Sequence, residues 1–337
     1  MAKPVERLLE VLEGGEKYLI VTHNNPDPDA VASSFALQQI MRRKLKKHAA
    51  IGYAGMVGRA ENRALIKCCR IKLTSLESID VQQFDRICLV DSQFNATNHS
   101  LPRDIVPAAV IDHHPSLSAG EKLLYEDVRP QYGATSTMLT EYVIDLELKV
   151  NKRVATALLF GIRSDTFHLS RRTTSADIRA YGYLVPNIDR KLLSMIENPA
   201  LPKQYFRVLH RALENAKIFE DVVVAELERI DNPDAVAEMA DFLLRLSGVS
   251  WSIVIGYYRK KLYISLRTGG DSKDAGQVIV KAVEGRGTAG GHDVMAGGVI
   301  PLDKKEDPMR VARSLRSRLL EEISASAKNS RSSNLIS

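Results

Sequence analysis

Short apolar runs that stop abruptly on ionisable residues alternate with helical periodicities along the first half of the chain. Val5, Leu8, Leu9, Val11 and Leu12 recur at helical spacing over residues 4–13, and Gly14 and Gly15 end the pattern. Tyr18–Val21 is apolar throughout, as a strand buried on both faces is. It runs into His23, Asp27 and Asp29, where Pro26 and Pro28 prevent regular pairing and leave a loop. From Ala30 the pattern is helical to about Lys47, opening on the small residues Ala30, Ala32, Ser33 and Ser34. Residues 49–74 read as strand, helix over about 60–69, and a short strand. Arg86–Val90 and Ala108–Ile111 are two further buried strands, ending on Asp91 and on Asp112, His113 and His114. Leu123–Tyr125 reads as an edge strand, and Gly133 precedes a helix to about Leu146. Residues 151–163, closed by Asp165, and 175–185 are two more helices. Strands alternating with helices imply right-handed crossovers and a mainly parallel sheet.

The pattern then changes. Residues 189–220 are charged and helical, with few strand signals, and read as a connector. Beyond it come a strand at Asp221–Leu227, an amphipathic helix at Ala235–Leu246, and a hairpin of Trp251–Tyr258 with Leu262–Leu266. A helix over 274–284 leads into a glycine-rich stretch, Gly285–Gly298, which reads as a loop, and the last helix covers 307–325. The division expected is an α/β domain over 1–188, the connector 189–220, a smaller α/β domain over 221–325, and a frayed polar tail over 326–337. The length of 337 residues and a hydrophobic content of 45% suffice for two buried cores.

Composition narrows the chemistry more than the architecture. No run reaches the roughly 18 apolar residues of a membrane span, and the first residues lack a continuous apolar signal region, so a cytoplasmic location is expected. Cys68, Cys69 and Cys88 form no pair at metal-ligand spacing and read as small hydrophobes. Any metal is therefore held by oxygen and nitrogen. The net charge of +6 tolerates a polyanionic partner without demanding one. The dense run Arg42, Arg43, Lys44, Lys46 and Lys47 sits where a helix ends and reads as dipole compensation on a solvated face.

Three strand ends and one helix end thus present His23, Asp27, Asp29, Asp91, His113 and Asp165, a set that reads as a two-metal hydrolytic site. On an extended stretch Asp27 and Asp29 point the same way, whereas a turn would aim them at two neighbouring ions. Asp91 can bridge two cations through its two oxygens. Carboxylates with imidazole and no thiolate suit Mn²⁺ or Mg²⁺, with Fe²⁺, Co²⁺ or Zn²⁺ also admissible. Two such ions about 3.5–4 Å apart lower the pKa of a bridging water and clamp a displacement at phosphorus. His114 is expected to donate to a phosphoryl oxygen, stabilising charge that develops there.

The ordered set His23, Asp27, Asp29, Ala30, then Asp91, then Asp112, His113 and His114, then Asp165 resembles the four motifs of the DHH phosphoesterase family. Gly290, Gly291 and His292 with Ala296, Gly297 and Gly298, and Ser265 to Arg267 upstream, resemble the GGGHxxAAG loop of the associated DHHA1 domain. The two-domain length is similar to the bacterial nanoRNase group, which degrades short oligoribonucleotides and dephosphorylates 3′-phosphoadenosine 5′-phosphate. The resemblance implies that His23, Asp27 and Asp91 hold one Mn²⁺, and that Asp29, Asp91, His113 and Asp165 hold another. It makes Asp91 the bridge, His114 a catalytic contact to the scissile phosphate, and Asp112 the support that fixes the imidazole tautomers. Arg267, Gly290, Gly291, His292, Ala296 and Gly297 would grip the rest of the nucleotide. The implied partner is a short RNA or small nucleotide, with neither membrane nor long duplex nucleic acid expected and a homodimer left open. The alternative substrates are polyphosphate or pyrophosphate, and linear or cyclic dinucleotides; a non-catalytic ligand-binding module is the remaining reading. Three residues depart from the family pattern: Ala32 and Ala289 where glycine is usual, and Met295 in place of a small residue. Arg171 and Arg172, soon after Asp165, read as a solvated loop or as phosphate contacts.

Overall fold

The computed structural model describes residues 3–117, 123–269, 273–292, 294–324 and 330–336, the side chain of His292 excepted. The chain divides into two compact units, 1–199 and 200–337.

In the first unit, α1 (Pro4–Leu12), β1 (Tyr18–Val21), α2 (Pro28–Lys44), β2 (Ala49–Tyr53), α3 (Ala60–Cys69) and β3 (Thr74–Ser75) come first. They are followed by β4 (Arg86–Val90), β5 (Ala109–Asp112), β6 (Tyr125–Val128), α4 (Thr135–Asp145), α5 (Lys152–Asp165), α6 (Ser175–Leu184) and α7 (Arg190–Glu197). The edge strand expected at Leu123–Tyr125 is thus displaced to Tyr125–Val128, where a pair of acids made the sequence look like loop. The sheet runs β3-β2-β1-β4-β5-β6 with every pairing parallel. Alternation along the strands sends Ile20, Cys88, Val90 and Ile111 into one apolar layer, and Leu19, Val21, Leu89 and Val110 into the other. Both faces are therefore covered, which is why these strands are continuously apolar.

The chain turns back on itself between β1 and β4, whose carboxyl ends carry His23 and Asp91. In open α/β sheets the crevice for ligands forms at such a reversal, because successive crossovers leave in opposite directions there. Helices α2 and α5 pack closely beside it. Ala32 of α2 meets the position where Gly161 of α5 has no side chain. A Cβ on Gly161 would lie 3.2 Å from that of Ala32 and 3.1 Å from Oδ1 of Asp29. The absent side chain at Gly161 is what lets the two helices approach so closely beside Asp29.

The second unit contains α8 (Lys203–Glu214), β7 (Lys217–Phe219), β8 (Val222–Arg229), α9 (Ala235–Leu243), β9 (Trp251–Tyr258) and β10 (Lys261–Thr268). It continues with α10 (Ala275–Val283), β11 (Thr288–His292), β12 (Met295–Pro301), α11 (Pro308–Ile323) and β13 (Ser333–Asn334). Its mixed sheet runs β11-β12-β10-β9-β8-β7-β13, parallel only between β8 and β9. Three observations revise the sequence-based outline. The stretch 189–220 is shared out, with α7 in the first unit and α8 and β7 in the second. Ser333 and Asn334, within the segment expected to fray, pair with Ile218 and Lys217. The glycine-rich stretch is not a loop but the hairpin β11–β12, with Gly290 opposite Gly297 and Gly291 opposite Ala296. Glycine's low strand propensity hid it. Among the described residues no helix is long and apolar enough to cross a membrane.

Gly133, just ahead of α4, has no room for a side chain. A Cβ there would lie 2.7 Å from Cγ2 of Thr166, 2.8 Å from the Arg172 carbonyl oxygen and 2.8 Å from Oδ2 of Asp177. Gly133→Ala is expected to cost about 1–3 kcal/mol of stability, as overpacking does. A chemical denaturation midpoint unchanged from the parent protein would refute this.

Candidate metal centre

Each side chain of the centre is placed by an element end. His23 follows β1, and Asp27 caps α2, its Oδ1 accepting the Ala30 N–H at 3.0 Å. Asp29, in the first turn of α2 and buried, also faces the start of α4. Its two oxygens accept N–H groups from Thr135 at 2.6 Å and Ser136 at 2.8 Å. The carboxylate thus lies against the positive ends of two helices. Asp91 follows β4 in the left-handed region, with φ +61°. Asp is among the non-glycine residues that adopt it most readily, and the conformation still costs about 1–2 kcal/mol. Its N–H stays in the ladder, donating to Ile111 at 2.9 Å, while the side chain turns into the centre. Asp165 is the last residue of α5.

The residues expected to hold metal converge. One group is His23, Asp27 and Asp91; another is Asp29, His113 and Asp165; ligating atoms within each lie within 4.8 Å of one another. Nε2 of His23 is 3.7 Å from Oδ1 of Asp27 and 3.4 Å from Oδ2 of Asp91. Nε2 of His113 is 3.7 Å from Oδ1 of Asp91 and 3.2 Å from Oδ2 of Asp165. Asp91 lies between the two sets, as a bridging ligand must.

The donor set fits divalent cations on two further counts. Oδ1 of Asp91 accepts from the Thr135 hydroxyl at 2.8 Å, whereas Oδ2 of Asp91 and Nε2 of His113 are buried without a hydrogen bond among the described residues. Such atoms are costly unless something binds them. The ring nitrogens are also committed in the required sense. Nδ1 of His23 donates to the Asn24 carbonyl at 2.9 Å, and Nδ1 of His113 to the Tyr132 carbonyl at 3.1 Å, so both Nε2 lone pairs face the centre. The thiols take no part, since burial pushes those of Cys69 and Cys88 up to about 12.

His114 differs from its neighbour. The rings lie 4.5 Å apart and are tilted by 56°. Nδ1 of His114 donates to Oδ1 of Asp112 at 2.8 Å, and 42% of the side chain is exposed, against 12% for His113. Asp112 therefore orients His114 alone; the tautomers of His23 and His113 are set by backbone carbonyls, which corrects the broader role expected for this acid.

Sequence reasoning missed the supporting residues. Nε2 of Gln93 donates to Oδ2 of Asp112 at 2.7 Å and to the Pro115 carbonyl at 3.1 Å, while its Oε1 accepts the Leu117 N–H at 2.7 Å. Buried Asp177 accepts from the Gly133 N–H, the Thr137 hydroxyl at 2.6 Å, and the N–H and hydroxyl of Thr174. It anchors the segment that delivers Thr135 and Ser136. Arg129 grips Asp127 through two bonds of 2.7 Å and reaches Glu141 at 2.6 Å, and Glu141 accepts from Tyr132. That network holds the carbonyl that orients His113. Thr135 and Ser136 read in the sequence only as helix starters; nothing there signals that they serve Asp29, more than a hundred residues earlier.

Electrostatics state the same need for positive charge. Burial and the neighbouring Asp91 push the carboxyl of Asp29 well above its usual range, and burial with Asp27 pushes that of Asp165 up to about 6. Burial opposes protonation of His23 and His113, but the carboxylates around them outweigh it and raise both imidazoles well above their ordinary value.

The residues expected to grip substrate lie in the second unit. Arg267, on β10, is buried, with Nε donating to Oδ1 of Asp241 at 2.5 Å and Nη1 to Oγ of Ser265 at 2.7 Å and to the Leu266 carbonyl at 3.0 Å. Gly290 and Gly291 are on β11, Ala296 and Gly297 on β12. His292 ends β11 opposite Met295, and its side chain lies outside the described residues.

Comparison with known proteins bears on both units. The model of the DHH family, N-terminal domain, matches residues 17–162, and that of the DHHA1 domain matches 220–316. An uncharacterized protein of Methanocaldococcus jannaschii is 36% identical over 90% of this chain and 64% of its own length. The cyclic-di-AMP phosphodiesterase GdpP of Bacillus subtilis is 24% identical over 85% of this chain and 45% of its own. The chain thus spans between about half and two thirds of these relatives. The crystal structure of an exopolyphosphatase-related protein from Bacteroides fragilis superposes with a TM-score of 0.74 at 17% identity, covering 94% of this chain and 95% of the other, a likeness of fold.

Cations at this centre replace protons, so binding near neutrality should release protons and weaken as pH falls. The raised imidazole pKa values set that sign: His23 and His113 must each give up a proton before Nε2 can ligate. Mn²⁺ at 100-fold excess over its Kd should add about 2.7 kcal/mol per site, or roughly 5–10 °C in the melting of the first unit. Calorimetry in buffers of different ionisation enthalpy checks the first statement, and thermal melts the second. A melting increment that survives in Asp91→Asn would place the cation elsewhere.

Proposed function

The chain belongs to the DHH family of phosphoesterases, and on that footing we propose that it hydrolyses short oligoribonucleotides to mononucleotides and 3′-phosphoadenosine 5′-phosphate to AMP. The observation that carries the hydrolytic reading is Asp91, whose unpaired buried oxygen lies between two complete ligand sets. His23, Asp27 and Asp91 would hold one divalent ion and Asp29, Asp91, His113 and Asp165 the other, with Mn²⁺ best suited to this mixture of carboxylate and imidazole. When bound, two such ions lower the pKa of water and neutralise charge on a phosphoryl group.

The protein's own groups do the rest. His114 keeps Nδ1 on Asp112, which leaves Nε2 to meet a phosphoryl oxygen. Burial works against its charge, but Asp112 and Asp91 outweigh burial and raise its pKa, so His114 can act as a proton-bearing donor where negative charge grows. Gln93 and Asp112 hold that donor in place before substrate arrives.

Support for a nucleotide substrate comes from the β11–β12 hairpin. Gly290 and Gly297 lie opposite each other, yet among the described residues a Cβ on Gly290 would meet nothing within 4 Å, and one on Gly297 only the Ile264 carbonyl oxygen at 3.6 Å. Packing does not require glycine at either position, whereas close approach of a ligand to bare backbone would. We assign Gly290, Gly291, His292, Ala296, Gly297 and Arg267 to the part of the nucleotide away from the scissile bond. A second reading, a cyclic dinucleotide as substrate, is favoured by the similarity to the Bacillus phosphodiesterase, which runs through both units.

A panel of a linear diribonucleotide, cyclic di-AMP, 3′-phosphoadenosine 5′-phosphate and tripolyphosphate, each with Mn²⁺, tests the proposal. Turnover of the linear dinucleotide and the bisphosphate is expected, with Asp91→Asn lowering kcat/KM by about a thousandfold, the equivalent of roughly 4 kcal/mol. Preferential turnover of cyclic di-AMP would select the second reading. Release of phosphate from tripolyphosphate alone would overturn both.

A further inference from the structure

We propose that the first unit carries an accessory binding site for a chain of phosphate groups, in a groove at the opposite end of its sheet from the metal centre. The groove has a volume of about 380 Å³ and is lined by Arg42, His48, Arg70, Lys72 and Arg153, together with amides and Phe35. No carboxylate lines it.

Its position follows from the helices. Arg42 lies in the last turn of α2, Arg70 follows α3, His48 precedes β2, and Arg153 is in the first turn of α5. The metal ligands occupy the other ends: Asp29 opens α2 and Asp165 closes α5. Arg42 lies 13 residues beyond Asp29 along α2 and Arg153 lies 12 residues before Asp165 along α5, which separates groove and centre by roughly 18–20 Å at 1.5 Å per residue. A dinucleotide held at the centre cannot also fill the groove.

Helix dipoles explain only part of this charge. Arg42 and Arg70 lie at helix C-termini, where a cation is favourable. Arg153 does not. The first turn of α5 holds Lys152 and Arg153 and no acidic residue, the reverse of what a helix N-terminus favours. Among the described residues Arg42, Arg70, Lys72 and Arg153 have no ion-pair partner. Asp189 is near enough to affect Cys69, but its carboxylate caps α7 by accepting from Lys191 at 3.0 Å and Leu192 at 3.2 Å. Four or five like charges facing one cavity repel one another, and an anion with several phosphates would relieve that repulsion. Arg guanidinium groups offer the planar forks suited to phosphate oxygens. The RNA backbone and a free oligophosphate are the two sources of this chemistry.

The full-length chain carrying Asp91→Asn, so that probes stay intact, is titrated with a labelled 20-nucleotide single-stranded RNA and, separately, with inorganic tripolyphosphate. The same is done after adding Arg42→Gln, Arg70→Gln and Arg153→Gln, and after adding the control set Lys304→Gln, Lys305→Gln and Arg313→Gln. If RNA is the ligand, the groove variant should bind it about tenfold or more weakly. The slope of log affinity against log salt should also shrink by about 2, since each phosphate neutralised on a single strand contributes roughly 0.7. A loss confined to tripolyphosphate supports the site and identifies a free oligophosphate as its ligand. Equal losses in the groove and control variants, or no loss for either probe, would overturn the proposal. In the active protein the groove substitutions should leave hydrolysis of a minimal substrate unchanged, so the binding result stands whatever that substrate proves to be.

Discussion

The structure of the first unit is organised around buried negative charge. Asp27, Asp29, Asp91 and Asp165 converge at the carboxyl ends of β1, β4 and α5 and at the start of α2, where two unit charges 4 Å apart interact by about 4 kcal/mol even at an effective dielectric constant of 20. A fold that collects such charges needs fixed positive potential and a place for cations. The positive potential comes from the ends of α2 and α4, both aimed at Asp29. The place for cations is marked by Oδ2 of Asp91 and Nε2 of His113, two buried atoms of the centre without a hydrogen bond among the described residues. The left-handed turn at Asp91 belongs to the same constraint, since it lets the residue keep its ladder hydrogen bond while its carboxylate leaves the sheet.

The second-row partners of the three histidines sort them by role. A neutral carbonyl orients His23 and His113 without adding charge to a centre already rich in acid, and without strengthening the hold on a proton that a cation must displace. His114 has a carboxylate instead, which favours the protonated ring. That suits a donor to developing negative charge and would hinder a ligand. Adjacent in the chain, the two imidazoles are thus separated chemically by what lies behind them: Tyr132 and its Arg129 network for one, Asp112 and Gln93 for the other.

Much of this was legible in the sequence because the strands of the first unit are buried on both faces. Tyr18–Val21, Arg86–Val90 and Ala109–Ile111 leave little choice but strand, and every ligand follows such a run or closes a helix. The parallel sheet and the convergence of six ligands therefore follow from local pattern. What the sequence hid depends on side chains facing distant partners. Thr135, Ser136, Gln93 and Asp177 are ordinary cap or loop residues by composition, and their partners lie up to 107 positions away. The hairpin of β11 and β12 was hidden for a different reason: its strands are made of residues with the weakest strand preference, and only the ladder to β10 reveals them.

The proposed function leaves the choice of substrate to more than the metal centre. The chemistry at phosphorus asks only for ions, a donor and water, and says little about what is attached to the phosphate. Under that proposal discrimination would come from other surfaces, and the residues assigned to it lie in the second unit. Arg267 is buried and tied to Asp241, Ser265 and Leu266, so its guanidinium is already ordered and gives up little rotamer freedom to a ligand. Two ladder positions away, Gly290 and Gly297 leave room for a side chain among the described residues. Between the register positions of Arg267 and His292 lies Met295, long and flexible enough to repack. Under the proposed function, a rigid cation, an open stretch of backbone and one adaptable apolar side chain are the features through which substitution would change which nucleotide is favoured.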